Sequence, residues 1–271
     1  MNGPYLNSIN KLLQAARLSI FSLLLAGTSP AAFAAQIAII IDDIGYRNTD
    51  KRALDLPGPL TFAVLPHTRF SDLAKPLSLK HDIMVHVPMQ SLSGSDLGPG
   101  ALEMGMSEQE FKHTLRMAIQ SVPNAVAVNN HKGSLLTQLK PQMRWVMEVL
   151  QENELYFIDS ATTRYSKAHQ QAKLQRVASM RRDVFLDHDP SARAIERQFN
   201  QLVNLAKRKG YAIGIGHPYP QTLDMLERRL PELTAMGIEL VPISHFLEPK
   251  QLAYNEESNA GSIPTAVSAS L

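Results

Sequence analysis

Short apolar runs alternate along this chain with longer stretches of helical periodicity. The first run, Ile37-Ala38-Ile39-Ile40-Ile41, is apolar at every position. A strand wetted on one face would alternate apolar with polar residues, so an unbroken run predicts a strand buried on both faces. The same reading predicts strands over 60–65, 83–87, 125–128, 155–158, 184–186, 211–215 and 238–241. Helical spacing fills the intervals. The segment 107–121 opens with Ser107-Glu108-Gln109-Glu110, a capping-box pattern, and repeats its apolar residues at Phe111, Leu115 and Ala118. Segment 141–152 starts with Pro141, suited to a first turn, and sets Met143, Val146, Met147 and Leu150 on one side as core. Segments 191–209 and 221–236 stop at Gly210 and Gly237, the usual left-handed cap residue, and Pro231 is placed to kink or split the second.

Strands alternating with helices imply parallel β/α units. Seven or eight units in roughly 215 residues predict a distorted (β/α)7-8 barrel, with an open doubly wound sheet as the alternative. The segment 91–105 is glycine-rich and aperiodic, and reads as a loop over the barrel mouth.

Candidate chemistry gathers where strands end. Asp42-Asp43-Ile44-Gly45-Tyr46 follows the first strand, His67 the second, and His86 lies at the end of the third. His131 follows the fourth, Asp159 the fifth, His217 the seventh and His245 the eighth. Of nine histidines, these five sit at strand ends, and His81, His113, His169 and His188 do not. In a β/α barrel the C-terminal strand ends share one mouth, so the enrichment points to a common site. Adjacent carboxylates in a dry site repel unless a cation or proton lies between them. The plainer reading of Asp42 and Asp43 is a turn or a helix cap. His67 and Asp159 are also consistent with capping, His245 with packing near the last helix, and Asp187-His188-Asp189 less with a ligand cluster than with a polar loop, one placed to line the rim.

Composition sets the compartment. Residues 1–34 carry Lys11 and Arg17, a short apolar core and Ala32-Phe33-Ala34, the pattern of a cleaved export signal. Removing those two cations from 27 basic against 25 acidic residues leaves 25 of each. A neutral chain lacks the footprint of a nucleic-acid binder. The apolar core of the signal is too short for a stable membrane span, which needs roughly 20 residues. Export without cysteine fits the bacterial periplasm and excludes thiolate ligands and nucleophiles. Residues 248–271 read as a disordered tail, leaving 35–247 as the domain.

Histidines with a carboxylate suit zinc or a similar divalent cation, and a paired base and acid suit hydrolysis. The pieces IIIDDIG, HVPMQ, NNHKGS, FIDS and IGIGHP, in that order, resemble the polysaccharide deacetylases of the NodB-homology type, and most their divergent, exported bacterial branch. The resemblance implies a distorted barrel and metal-dependent removal of acetyl groups from a glycan. It implies Asp42 as general base, Asp43 and His131 as metal ligands, and His217 as the acid that protonates the leaving group. The family's His-x-x-x-His pattern meets Leu135 at its second histidine, and its Arg-x-Pro-Tyr element is replaced near Phe157-Ile158-Asp159-Ser160. We expect His86 to supply the missing ligand from the third strand. Two functions stay open: a deacetylase of an envelope glycan, or a barrel that kept the cleft, lost catalysis and serves as a glycan-binding or scaffolding partner. A phosphoesterase is the weaker third, because the glycine at 45 lacks a phosphate-loop lysine pattern.

Overall fold

The computed structural model describes residues 35–72 and 81–247. The predicted export signal and the predicted tail lie outside them. The isoleucine-rich run forms the core of β1 (Ala35–Ile44), the hub of the sheet. The chain continues through α1 (Lys51–Leu54), β2 (Thr61–Val64), β3 (Asp82–Met89), α2 (Glu108–Ser121), β4 (Ala125–Lys132) and α3 (Lys140–Glu152). There follow β5 (Tyr156–Asp159), α4 (Ala168–Leu174), β6 (Ser179–Arg181), β7 (Val184–Phe185), α5 (Ala192–Lys209), β8 (Tyr211–Gly216), α6 (Pro220–Arg229) and β9 (Ile238–Leu240).

Every pairing is parallel, in the order β6-β5-β4-β3-β2-β1-β8-β7, with β9 also on β1. The two ends of that order, β6 and β7, are neighbours in the chain yet do not pair. The sheet curls into a distorted barrel whose seam lies at Arg182-Asp183. Among the described residues no helix is long and apolar enough to cross a membrane.

Alternation along β1 sorts its side chains into two layers. Ile37, Ile39, Ile41 and Ile44 join the cluster that includes Phe111, Leu115, Met147 and Phe199 from the surrounding helices. Ala38 and Ile40 join an inner cluster with Ala63, Met84, Ala127, Ile158, Ile213, Ile215 and Phe246. Burying each large aliphatic side chain contributes roughly 1.5–3 kcal/mol, so both layers hold the strands in register.

The helix punctuation acts as its chemistry dictates. Ser107 Oγ accepts from the Glu110 N–H at 3.3 Å, and Gly210 (φ 87°) and Gly237 (φ 73°) take left-handed caps. The predicted helix over 221–236 is split: α6 stops at Arg229 and two 3-10 turns follow, because Pro231 has no N–H to continue it. Three predicted bounds fall short by two residues or more. β1 runs through Asp42 and Asp43, β3 through Pro88, and β4 through Asn129, Asn130, His131 and Lys132. Polar residues ended the apolar pattern without ending the strands. β6 and α4 carry no apolar run and were not anticipated.

Candidate active site

Follow the inward rows upward. Ala38 and Ile40 lead to Asp42, Met84 leads to His86, and Ala127 leads to Asn129 and His131. Ile213 and Ile215 lead to His217. Each row is apolar below and polar at its C-terminal end, so one mouth collects all of these side chains.

Asp43 should point outward, since successive strand residues alternate sides. Its backbone prevents this. Asp43 has φ 61°, a left-handed conformation rare outside glycine, and the β1–β2 register shifts between Ile41 and Ile44. Ile41 and Ile44 both face the outer layer, and the bulge turns both intervening carboxylates into the barrel.

There Asp43 Oδ1 lies 2.9 Å from His131 Nδ1 and 3.2 Å from His86 Nε2. The two imidazole nitrogens are 3.2 Å apart. One donor atom from each of Asp43, His86 and His131 falls within 4.8 Å of the others. Despite these approaches Asp43 Oδ1 is buried and makes no hydrogen bond. Lone pairs thus converge on one point, a donor set that fits a small divalent cation.

Asn129 fixes the orientation of His86. Its Nδ2 donates to Asp42 Oδ1 at 2.8 Å, and its Oδ1 faces His86 Nδ1 at 2.7 Å. A carboxylate only accepts, so the amide nitrogen must face Asp42 and the amide oxygen His86. His86 then carries its hydrogen on Nδ1, and in the neutral ring Nε2 is left bare toward Asp43.

Asp187 plays the corresponding part for His217. Its Oδ1 accepts from His217 Nδ1 at 2.9 Å, and its Oδ2 accepts from the His217 N–H at 2.6 Å and from Thr222 Oγ1 at 2.8 Å. His217 Nε2 is left facing Asp43 Oδ2, 3.8 Å away. A cavity of about 440 Å³ opens over this group, lined among others by Asp42, His131, Lys132, Arg182, His188 and His217.

The model of the divergent polysaccharide deacetylase family matches residues 39–247. The chain belongs to that family. It is 37% identical over 238 residues to the uncharacterized protein YibQ of Escherichia coli, covering 86% of this chain and 73% of that one. An uncharacterized protein of Haemophilus influenzae is 36% identical over 211 residues, covering 74% and 75%. The crystal structure of an uncharacterized protein from Agrobacterium tumefaciens superposes with a TM-score of 0.75 at 23% identity, covering 81% of this chain and 92% of that one. That likeness shows the shared fold.

In this member of the divergent family the buried charges tune one another. Burial pushes the Asp42 carboxyl up, more than His86 and His217 pull it down. Burial acts on Asp43 too, but His131 and His86 hold it well below the usual carboxylate range. Burial lowers His131. It opposes charge on His86 as well, where the Asp42 and Asp43 carboxylates prevail and raise the ring. For His217 burial is again overcome: the Asp187 hydrogen bond and charge hold it up to about 9.

Asp42, Asp43, His86, His131 and His217 therefore meet as the strand-end argument expects. Other candidates do not join them. His67 is exposed, with its ring against Gly100 of the long loop. His245 sits at the opposite end of β1, its Nε2 3.0 Å from Gln36 Nε2. Asp159 is buried and accepts from the Ala161 N–H at 2.8 Å, shaping the turn after β5. Asp187 corrects the polar-loop reading of its segment, since its side chain is fully buried on His217. Asn129 was also passed over, although its place two residues before His131 puts both on one strand face.

Proposed function

We propose that this chain is an exported, zinc-dependent hydrolase that removes acetyl groups from an envelope glycan in the periplasm. The observation that carries the reading is the convergence of Asp43 Oδ1, His86 Nε2 and His131 Nδ1 on one point, with the Asp43 oxygen unbonded. Those three residues would hold the cation. When bound, it supplies a polarised acyl carbonyl and a water of lowered pKa.

The remaining chemistry belongs to the chain. Asp42 is anchored through Oδ1 by Asn129, which leaves Oδ2 to take the proton of the attacking water. Its burial keeps it a stronger base than an exposed aspartate. His217 is protonated at neutral pH and directs Nε2 into the cavity while Asp187 holds Nδ1. It gives that proton to the departing nitrogen or oxygen of the sugar. A base and an acid whose environments push their pKa values apart divide the two proton transfers between them. The cavity has room for a sugar ring. The basic and apolar leader with Ala32-Phe33-Ala34 supports export.

The second reading, a glycan-binding barrel without hydrolysis, rests on Leu135 in place of the second motif histidine. The place of His86 favours the first. Metal analysis of purified protein, followed by acetate release from acetylated chito-oligosaccharides, tests the choice. We expect about one divalent ion per chain, lost in Asp43→Asn and His131→Ala together with acetate release. Equal trace metal in all three proteins sinks the hydrolase. Bound metal with no release from any glycan favours the binding barrel.

A further inference from the structure

Arg182 stands at the seam where β6 and β7 fail to pair. Its Nε donates to the Ser160 carbonyl at 2.7 Å and its Nη2 to the Ala161 carbonyl at 3.1 Å. Its Cζ lies 4.7 Å from the centre of the Phe185 ring, which fixes the plane of the guanidinium. It is half-buried and lines the cavity. Among the described residues it has no ion pair with a carboxylate.

Several other half-buried cations differ. Lys209 pairs with Asp183 at 2.7 Å, Lys112 with Glu108 and Glu148 at 2.6 Å each, and Arg229 with Glu232 at 2.7 Å. Lys132 resembles Arg182: among the described residues its Nζ meets only a carbonyl, that of Asp96, and it lines the same cavity. Among the described residues Asp42 is the only acid lining that cavity, and Asn129 already engages it. A guanidinium has five N–H donors, and two of those on Arg182 are used. A cation withdrawn from water without a carboxylate is costly, and an anion arriving with a ligand relieves the cost through charge-assisted bonds.

We propose that the cavity is built for an acidic glycan, one whose acetylated sugar or its neighbour carries a carboxylate that Arg182 and Lys132 bind. This rests on the cavity being the glycan site of the proposed function. Arg182 orients the ring from its acidic substituent while the acyl group faces Asp42 and His217.

Three sugars test it: N-acetylglucosamine, N-acetylmuramic acid, and the methyl ester of the latter. They share ring and acetamido group. The second adds a lactyl carboxylate, and the third keeps its bulk without its charge. Each is titrated into zinc-loaded protein and followed by NMR chemical shifts. We expect N-acetylmuramic acid to bind about tenfold or more tighter than both others. Arg182→Gln brings the ratio toward one, Arg182→Lys restores part of it, and Lys132→Gln lowers it by a smaller factor. Equal binding of the three by wild type overturns the proposal, as does failure of all three to bind. A preference that survives Arg182→Gln and Lys132→Gln combined overturns it too. If Arg182→Gln does not fold, the wild-type ratio and its fall in Lys132→Gln decide. Acetate release is read separately. Preference without release sinks the hydrolase and keeps the acidic subsite, and release without preference does the reverse.

Discussion

The lower and upper halves of the barrel interior are built on the same rows of the same strands. Below, Ala38, Ile40, Met84, Ala127 and Ile213 pack without a polar atom to satisfy, closed off by Phe246 from the 3-10 segment Ile243–Leu247. Above, one or two residues further along each row, Asp42, His86, Asn129, His131 and His217 fill the space. Strand alternation delivers both sets and only the residue type changes. The lower half returns burial free energy. The upper half gathers desolvated charges whose mutual pairing at best offsets that cost. Substitutions below should therefore unfold the protein and leave the nitrogens in place. Substitutions above should disable the site and leave the fold.

The largest break expected is Asp43→Asn. Asparagine tolerates the left-handed backbone, so the strand keeps its bulge while the charge is lost. Acetate release should fall to background, about a thousandfold or more, with the melting temperature of metal-free protein nearly unchanged. A large drop in melting temperature would mean that the upper half also holds the fold. Phe246→Ala is the mirror test: a loss of about 3–5 kcal/mol in urea unfolding, with the metal stoichiometry of the folded fraction intact.

Asp187→Asn comes next, through pH. His217 has its folded pKa raised from 6.5 to about 9. A raised folded value gives stability fully present below pH 6.5 and lost as pH rises through about 9. The advantage of metal-free wild type over Asp187→Asn should thus be largest near pH 6, at most about 3 kcal/mol, and shrink by pH 10. An advantage that grows with pH would assign the buried charge to another group. Asn129→Ala should weaken zinc binding about 10- to 100-fold by freeing the His86 ring, measured by competition with a chelator. Smallest is Ile40→Val, about 1 kcal/mol of stability with no change in zinc affinity.

The comparison also explains what the sequence made legible. Long apolar runs announce strands buried on both faces, and histidines beyond them announce the mouth, so the barrel and the five meeting residues could be read. The partners could not. Asn129 is paired with His86 by the β3–β4 register, and Asp187 reaches His217 because β7 lies beside β8. Neither adjacency is written in local pattern. β6 was missed because Ser179-Met180-Arg181 is a short, partly exposed edge with nothing to alternate against. Arg182 gains its place only from the failure of two edges to meet.

The bulge in β1 has a consequence for how this chain can drift. Because a single peptide link joins Asp42 to Asp43, the side to which both carboxylates turn is inherited from main-chain torsion at Asp43. Position 43 therefore admits few occupants on steric grounds alone. A valine or isoleucine there would remove one acid of the pair and favour an extended backbone over the bulge, so charge and geometry would be lost in a single step.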